Sequence, residues 1–512
     1  MDMLFGLLGL LVVLVCLGGA AFVGYIFVRR FWLQSGEDRN GDAMMSVRRD
    51  LRSVLDSITL RMILVAFLGL VMLIPLAFVD DIVDERHGLY QSVLRDIAGS
   101  WGEQQTLSAP LLVVPYVERF DTKENVRDKN GHVQTISRTK RTLDAAVTLP
   151  HTLDIRLTLS EAFRRRGIYQ SLVYNAEITL SGTFASRPAV EELSEHIERI
   201  DWHKAYLVFG LSDTRAIHEV AALKWNDTEW PLSPGTRQTK LVEAGFHAPL
   251  GDELSQSQGG HRFELRFSVN GSEAFLFAPL GQTTEVHMTS TWPHPSFIGK
   301  VLPGQYTVRS DGFDANWAIP HLARHYPQLW SLNRASYDVN SFTAGVRLFE
   351  PVFLYSLVTR AVKYGLLFIA LTFMIFLIFE VTVQARLHVV QYGLIGLALT
   401  LFYLTLLSLA EHIDFLPAYL SASSIIILMI TCYTAAALRS AVRATIIFVL
   451  LIGLYTLLYS LLQLEDYALL MGTGLLLAVV IVLMYVTRHM RSGTAGEEAD
   501  ELADSGHSTS PG

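Results

Sequence analysis

The sequence predicts a multi-pass α-helical membrane protein with a large β-rich (α+β) extracytoplasmic domain inserted between helices two and three. Seven apolar stretches support this, because each is close to the ~20 residues with which an α-helix crosses about 30 Å of hydrocarbon. Roughly 280 mostly polar residues separate the second stretch from the third. Apolar residues make up 51% of the chain and charged residues only 18%, a balance typical of membrane proteins.

The seven apolar stretches lie on both sides of the polar region, two before it and five after it. Their approximate bounds are Leu4–Val28, Leu60–Val79, Ala361–Phe379, Val389–Leu409, Phe415–Ala437, Ala444–Leu462 and Asp466–Val486. The tail from Ser492 onward is acidic and rich in Gly and Ser. With so little apolar surface to bury, it is predicted to be disordered.

Lys and Arg in the short loops predict the orientation, because cytoplasmic loops carry an excess of these residues. The loops Ala410–Asp414 and Gln463–Glu465 contain neither. The segment between the first two stretches contains Arg29, Arg30, Arg39, Arg48, Arg49 and Arg52, and Arg61 lies at the very start of the second stretch. The large domain is therefore expected outside the cytoplasm, and the C-terminus inside it.

These boundaries predict six segments along the chain. They are an N-terminal transmembrane helix (1–32), a basic cytoplasmic loop (33–59), a second transmembrane helix (60–79), the β-rich domain (80–360), a five-helix transmembrane domain (361–487) and a disordered acidic cytoplasmic tail (488–512).

Alternation of apolar and polar residues predicts strands in the large domain. Leu153, Ile155, Leu157 and Leu159 alternate with polar residues, as half-buried strands do. Asn270-Gly271, between two apolar runs, predicts a type I′ hairpin, since both residues tolerate positive φ. Helical patterns are short, at Ala189–Ile200 and Trp317–Trp330.

The second of these helical patterns contains the two candidate metal ligands, His321 and His325. Four residues apart on a helix, two imidazoles can share a metal ion. No third ligand is apparent and the Glu of HExxH is missing, so packing or surface exposure is the favoured interpretation and no metal is expected.

A polar cluster is predicted where the third and fourth apolar stretches meet the outer membrane surface. Glu350, Glu411, His412 and Asp414 are its members. They would form a proton relay or cation site, or simply a solvated interfacial loop, and the loop is favoured. Lys363 and Glu380, near the two ends of the third stretch, are expected to reach water.

Other kinds of chemistry lack a sequence signal. No P-loop, GxSxG or helix-opening GxGxxG occurs, so no cofactor is expected and catalysis has no detectable constellation. The net charge of −8 argues against a nucleic-acid partner. Both cysteines, Cys16 and Cys432, lie in apolar stretches, so no disulfide is expected in the large domain.

Several long runs of the sequence carry a resemblance to a known family. They include Phe163–Tyr169, Val173–Phe184, Val208–Asp213, Phe277–Gly281, Trp292–Phe297, His321–Arg324, Gly345–Pro351, Arg360–Phe368 and Leu407–Ile413. Together these runs resemble the CreD family of bacterial inner-membrane proteins, also called cell envelope integrity proteins. The resemblance implies a multi-pass protein of a Gram-negative inner membrane with a periplasmic domain, produced under an envelope or nutrient response and contributing to envelope integrity. It supplies no catalytic residue.

The resemblance begins near Met45, so the first apolar stretch is an addition, or else translation starts at Met44 or Met45. The expected function is that of an envelope protein whose periplasmic domain binds a protein, lipid or cell-wall partner, the bilayer itself being the other partner. Trp292–Phe297 is either a contact surface or a buried aromatic turn. Alternatives are a transporter or lipid-handling protein using the last five helices, and a membrane-bound hydrolase.

Overall fold

The computed structural model describes residues 58–127, 133–220, 222–251, 253–256, 259–348, 354–383 and 388–463, with isolated residues between 470 and 484. The chain divides into two compact units. The helical unit comprises Met1–His87 and Phe353–Gly512, and the β-rich unit comprises Gly88–Val352. The predicted helix Leu4–Val28, the basic loop, the acidic tail and most of Asp466–Val486 lie outside the described residues.

The α-helices of the described chain are numbered here in order. They are α1 (Ile58–Val71), α2 (Leu73–Trp101), α3 (Glu253–Gln256), α4 (Leu354–Val383), α5 (Val389–Ala410), α6 (Phe415–Leu438) and α7 (Ala441–Gln463). The five apolar stretches that fall within the described residues are thus helical, as predicted. Four helices of the described residues are long and apolar enough to cross a membrane. They are Met62–Trp101, which runs from α1 through α2, and the helices α5, α6 and α7; the bent helix α4 would be a fifth.

Small residues allow the helices of this unit to approach closely. Helix α4 bends by 45° between Lys363 and Gly365. A Cβ atom on Gly365 would lie 2.8 Å from the Leu76 side chain, and one on Gly396 would lie 2.8 Å from Met72. Since helices in lipid associate mainly through such close packing, these glycines bring α4 and α5 against the start of α2.

Ten of the described strands form the first sheet of the β-rich unit. They are β1 (Gln105–Arg127), β2 (Val133–Thr148), β5 (Ile197–Ile200), β6 (Tyr206–Leu211), β10 (Ser233–Pro234), β11 (Gly245–Pro249), β13 (Ala274–Phe277), β15 (Pro295–Gly299), β18 (Leu329–Ser331) and β19 (Ala344–Leu348). The main order is β10-β11-β6-β1-β13-β19-β15, while β2 and β5 also pair with β1.

Nine strands of the described chain form the second sheet. They are β3 (Thr152–Arg166), β4 (Tyr169–Phe184), β7 (Ile217–Val220), β8 (Leu223–Trp225), β9 (Thr228–Trp230), β12 (His261–Ser272), β14 (Thr283–Ser290), β16 (Gln305–Arg309) and β17 (Gly312–Pro320). The main order is β16-β17-β14-β3-β4-β12-β8-β9.

Buried side chains from both sheets form one continuous hydrophobic core. The predicted alternation is confirmed in β3, where Leu153, Ile155, Leu157 and Leu159 are buried and the residues between them face outward. Such a core is the main stabilising feature of the unit, because burial of apolar area is the dominant favourable term in folding.

The predicted hairpin at Asn270-Gly271 is wrong. Both residues lie inside β12 and pair with Asn175 and Tyr174 of β4, while β13 belongs to the other sheet and pairs with β1 and β19. The chain changes sheet at Glu273, whose φ is 60°. Gly271 is needed for packing instead, since a Cβ there would lie 2.3 Å from the Tyr174 hydroxyl.

The two helical patterns in the large domain are also wrong. Ala189–Ile200 contains one 3₁₀ turn, Val190–Leu193, followed by β5. Trp317–Trp330 contains the end of β17, a 3₁₀ turn at His321–Ala323, and the start of β18. Sheet pairing overrode the local helical preference in both segments, which is the usual outcome for short patterns of weak propensity.

Candidate functional site

The predicted polar cluster is built around Glu411 in the helical unit. Glu411 follows the last residue of α5 and accepts a hydrogen bond from the Tyr355 hydroxyl of α4 at 3.1 Å. The Tyr355 ring stacks on the His87 imidazole of α2, with centroids 5.8 Å apart and planes 4° from parallel. The end of α5, the start of α4 and the middle of α2 therefore meet at a carboxylate, a buried phenol and an imidazole.

Further charges lie on the helices that carry this cluster. Asp80 on α2 interacts electrostatically with Lys363 on α4 and with the neighbouring Asp84. The Lys363 side chain is exposed on the surface of α4.

The other predicted members of the cluster lie apart from this contact. His412 is exposed, and its Nδ1 donates to the Ser408 carbonyl at 3.0 Å. Asp414 precedes α6 as its N-cap residue without a side-chain capping bond. Glu350 lies outside the described residues. Glu411 is thus joined to Tyr355 and His87, two residues that sequence reasoning missed because they are distant along the chain.

The two candidate metal ligands lie in an irregular segment instead of a helix. His321 begins the 3₁₀ turn and its Nδ1 donates to the Gln282 carbonyl at 3.2 Å, whereas the His325 ring packs edge-on against Phe342 at 6.2 Å. The helical spacing argument therefore does not apply to them. Across the residues that the structure describes, no three His, Cys, Asp or Glu side chains converge to hold a metal ion.

Glu380 departs from its expected exposure. Its side chain is buried, with a relative exposure of 8%, and it accepts a hydrogen bond from the Tyr392 hydroxyl of α5 at 3.0 Å. The prediction that this carboxylate reaches water is wrong. Sequence position near a helix end suggested exposure, but packing of α4 on α5 encloses it.

The aromatic segment Trp292–Phe297 is half-buried. Trp292 packs edge-on against Phe163, and Phe297 packs against Tyr306 and Trp317. Phe297 therefore belongs to a packed aromatic group that helps to fix β15 beside β19, while Trp292 keeps part of its ring exposed.

A polar cleft of about 550 Å³ opens in the β-rich unit, and sequence reasoning did not find it. Its walls come from the start of β1, the end of β6, the loop Thr239–Ala244 before β11, and the segment Ser336–Asn340 before β19. Its volume lies within the range of about 300–1,000 Å³ typical of small-molecule sites. The four wall segments are far apart in sequence, so no linear motif marks them.

One side of the cleft is positioned by the buried Asp144 of β2. This carboxylate accepts hydrogen bonds from the Tyr116 hydroxyl at 2.7 Å, the Ser331 hydroxyl at 2.6 Å, and the backbone N–H groups of Ala145 and Asn333 at 2.7 and 3.1 Å. Burial raises the pKa of the Tyr116 phenol, which keeps it as the donor. Asp144 thereby anchors Ser331 and Asn333, from which the chain continues to the cleft wall Ser336–Asn340.

The far end of that segment is fixed by Asp338 and Ser108. Asp338 Oδ1 accepts from the Asn340 backbone N–H at 2.9 Å, and the buried Ser108 hydroxyl of β1 donates to Asn340 Oδ1. With its amide oxygen held by Ser108, Asn340 has its NH₂ group left to donate elsewhere.

The opposite wall depends on a glycine in β6. A Cβ on Gly210 would lie 2.5 Å from the Val242 side chain, so only glycine lets the loop Thr239–Ala244 pack against this strand. The Thr236 hydroxyl donates to the Val242 carbonyl at 2.9 Å and closes the loop. Both walls of the cleft are therefore held by specific contacts before any ligand enters.

Comparison with known proteins identifies the family. Residues 57–491 match the family described as inner membrane protein CreD. The chain belongs to the CreD family. Inner membrane protein CreD of Escherichia coli (strain K12) is 32% identical over 424 residues, which cover 82% of this chain and 90% of the relative. Membership makes the chain an envelope-associated protein of the inner membrane and agrees with the resemblance seen in its sequence.

Solved structures add little to the CreD assignment. An M1 zinc metallopeptidase from Deinococcus radiodurans and its E323A mutant each share 11% identity with this chain, at a TM-score of 0.19. Each match covers 39% of this chain, which spans only 42% of the metallopeptidase chain. A likeness this slight carries no argument about fold or function.

Proposed function

We propose that this protein contributes to envelope integrity by binding an envelope component in the cleft of its β-rich unit, on the periplasmic side of the inner membrane. The cleft is the observation that carries the proposal, because it is polar, pre-formed and of ligand size. Membership of the CreD family supports the location at the membrane. The partner is a protein, a lipid or a cell-wall component.

The topology in this proposal is seven transmembrane helices with the β-rich domain inserted between the second and third. The distribution of Lys and Arg supports it, since the loop Ala410–Asp414 between α5 and α6 has none. In a variant with Cys16 and Cys432 replaced by Ser, a cysteine at Glu285 should react with a membrane-impermeant maleimide in intact spheroplasts, and one at Arg443 should not. The reverse labelling would refute this orientation.

Photo-crosslinking in living cells tests the binding role. A photoreactive residue at Thr239 or Ser336, on opposite walls of the cleft, should capture a specific adduct. The same residue at Glu285, exposed on β14 of the other sheet, is the matched control. Equal capture at all three positions, or none at the cleft, would refute the proposal.

A cellular assay links the cleft to the envelope. Cells producing only the Asn340→Ala variant should become as sensitive to envelope-directed agents as cells that lack the protein, at equal protein levels. Cells producing Glu285→Gln should keep wild-type tolerance. Wild-type tolerance with Asn340→Ala would remove the cleft from the envelope role.

A transporter or lipid-handling role for the helices is the second candidate. It is favoured by the 45° bend in α4 and by the buried Glu380 that accepts from Tyr392, since ionisable groups inside a helical bundle often mark ion pathways. Vesicles containing the wild-type protein and a pH-sensitive dye would then show a proton flux that Glu380→Gln abolishes. The third hypothesis, a membrane-bound hydrolase, has no observation in its favour among the described residues.

A further inference from the structure

The lining of the cleft presents hydrogen-bonding groups of both kinds to its interior. The Lys240 ammonium and the Asn340 NH₂ group are donors, the Glu243 and Asp338 carboxylates are acceptors, and the Ser336 hydroxyl can act as either. These side chains are exposed at the cleft surface. A ligand that fits must therefore offer several donors and several acceptors within a small volume.

The charges of the cleft argue against an anionic ligand. The lining contains one ammonium, Lys240, and two carboxylates, Glu243 and Asp338, and neither arginine nor histidine is among the lining residues. Sites for phosphate or carboxylate groups place cationic or N–H donors together. A neutral ligand is favoured, because it meets this mixed lining without an unbalanced charge.

The strand pairing argues against an extended peptide. Peptides that bind as an added strand need a free sheet edge. At the cleft, Leu107 and Ser108 of β1 pair with Leu211 and Gly210 of β6, the other edge of β6 pairs with β11, and β1 also pairs with β13. The strands that line the cleft thus have their backbone groups already engaged.

An aromatic ring is present at the same cleft. Tyr337 lines it, and the Trp330 ring packs edge-on against Tyr337 with centroids 5.6 Å apart. Trp330 is buried and so holds the tyrosine ring in place. A fixed aromatic face beside hydroxyl, amide and carboxylate groups suits a sugar ring, which has an apolar C–H face and a rim of hydroxyl groups.

We propose that the cleft binds a neutral saccharide, with one ring lying on Tyr337 and its hydroxyl groups bonded to Asn340, Glu243 and Ser336. The inference rests on the proposed function in taking this cleft as the binding site, and it adds the chemical class of the ligand. Volume limits the bound portion to a mono- or disaccharide unit.

Saturation-transfer-difference NMR on the full-length protein tests this proposal. The protein is placed in lipid nanodiscs, because maltoside and glucoside detergents are themselves sugars. The probes are chitobiose, cellobiose and maltose, with inorganic phosphate and a neutral dipeptide as competitors. Ring protons of at least one disaccharide should receive saturation, and neither competitor should remove it.

Variants separate a sugar platform from a structural role. Tyr337→Ala should weaken binding by about tenfold, since an aromatic contact of this kind is worth up to about one order of magnitude. Tyr337→Phe keeps the ring and should bind within about twofold of wild type, as should Glu285→Gln on the other sheet. Asn340→Ala should weaken binding too, but it also removes the acceptor of the buried Ser108 hydroxyl, so the decisive comparison is between Tyr337→Ala and Tyr337→Phe.

Failure of the saccharide proposal is distinguishable from failure of the proposed function. No saturation transfer to any disaccharide, or equal transfer with wild type and Tyr337→Ala, would overturn the saccharide proposal. Crosslinks from Thr239 and Ser336 to a protein or lipid would also overturn it while supporting an envelope-binding cleft. Tyr337-dependent disaccharide binding would support it even if Asn340→Ala cells kept wild-type tolerance.

Discussion

Substituting Gly271 by Ala tests how the two sheets are connected. In the structure Gly271 lies within β12, and an added Cβ would be 2.3 Å from the Tyr174 hydroxyl oxygen and 2.4 Å from Cζ. Tyr174 is fully buried, and its hydroxyl donates to the Ala274 carbonyl at 2.8 Å. The ring has to move, which strains the core and breaks this hydrogen bond.

The expected cost follows from these two effects. Overpacking of a core typically costs about 1–3 kcal/mol, and leaving the buried Tyr174 hydroxyl without its acceptor costs about 1–3 kcal/mol more. Gly271→Ala should therefore destabilise the β-rich unit by about 2–6 kcal/mol. At ~2–4 °C per kcal/mol for a unit of this size, its melting temperature should fall by roughly 4–24 °C.

Thermal unfolding of the full-length protein in nanodiscs, followed by tryptophan fluorescence, measures the change. Gly167→Ala is the matched control, because Gly167 is in the β3–β4 turn with φ of 63° and open space around its Cβ. It should cost only about 1–2 kcal/mol, the penalty for a left-handed conformation. In a Tyr174→Leu background, which removes the clash, Gly271→Ala should cost less than about 1 kcal/mol.

The refuting result is equally specific. If Asn270-Gly271 were the turn of a hairpin, Gly271→Ala would behave like Gly167→Ala and would cost the same with or without the Tyr174→Leu substitution. Equal costs in the two backgrounds would therefore contradict the strand assignment and the change of sheet at Glu273.

Three further predictions concern titration and buried hydrogen bonds. Burial lowers the pKa of His261, whose neutral ring accepts a hydrogen bond from Asn226 and stacks on Trp225. In the unfolded chain this histidine has a pKa of about 6.5, so below that pH the unfolded chain binds more protons than the folded protein. The melting temperature of the β-rich unit should therefore fall from pH 7 to pH 5 more steeply in wild type than in His261→Gln. An equal fall in both proteins would exclude His261 as the cause. Asp144→Asn should destabilise this unit by about 2–4 kcal/mol in thermal unfolding, because an amide NH₂ would replace an acceptor for the Tyr116 and Ser331 hydroxyls. It should also weaken ligand binding in the cleft, whereas Asp154→Asn, on the outward face of β3, should do neither. Tyr355→Phe should lower the thermal stability of the helical unit by about 1–3 kcal/mol, because the hydrogen bond to Glu411 is lost. The control, Tyr433→Phe on α6, should leave the stability unchanged. Unchanged stability of Tyr355→Phe would show that the contact with Glu411 contributes little.

Much of the local structure was predictable from the sequence, because its signals are local. Helices such as α5 follow from runs of apolar residues, and the strand β3 follows from alternation at Leu153, Ile155, Leu157 and Leu159. Both patterns reflect which side chains must avoid water within one element, so no distant partner is needed to interpret them. Short or ambiguous patterns failed, as at Ala189–Ile200 and Asn270-Gly271, where pairing partners decided the outcome.

The candidate sites depended on contacts between distant residues. Tyr355 and Glu411 meet through the packing of α4 on α5, and Glu380 is enclosed although it lies near a helix end. The cleft brings Ser108, Lys240 and Tyr337 together from three separate parts of the chain. By itself the sequence determined the membrane class, the β-rich character of the large domain and the family. Only the tertiary structure decided the sheet order and the cleft, because those depend on side chains brought together across many residues, which periodicity within one segment does not encode.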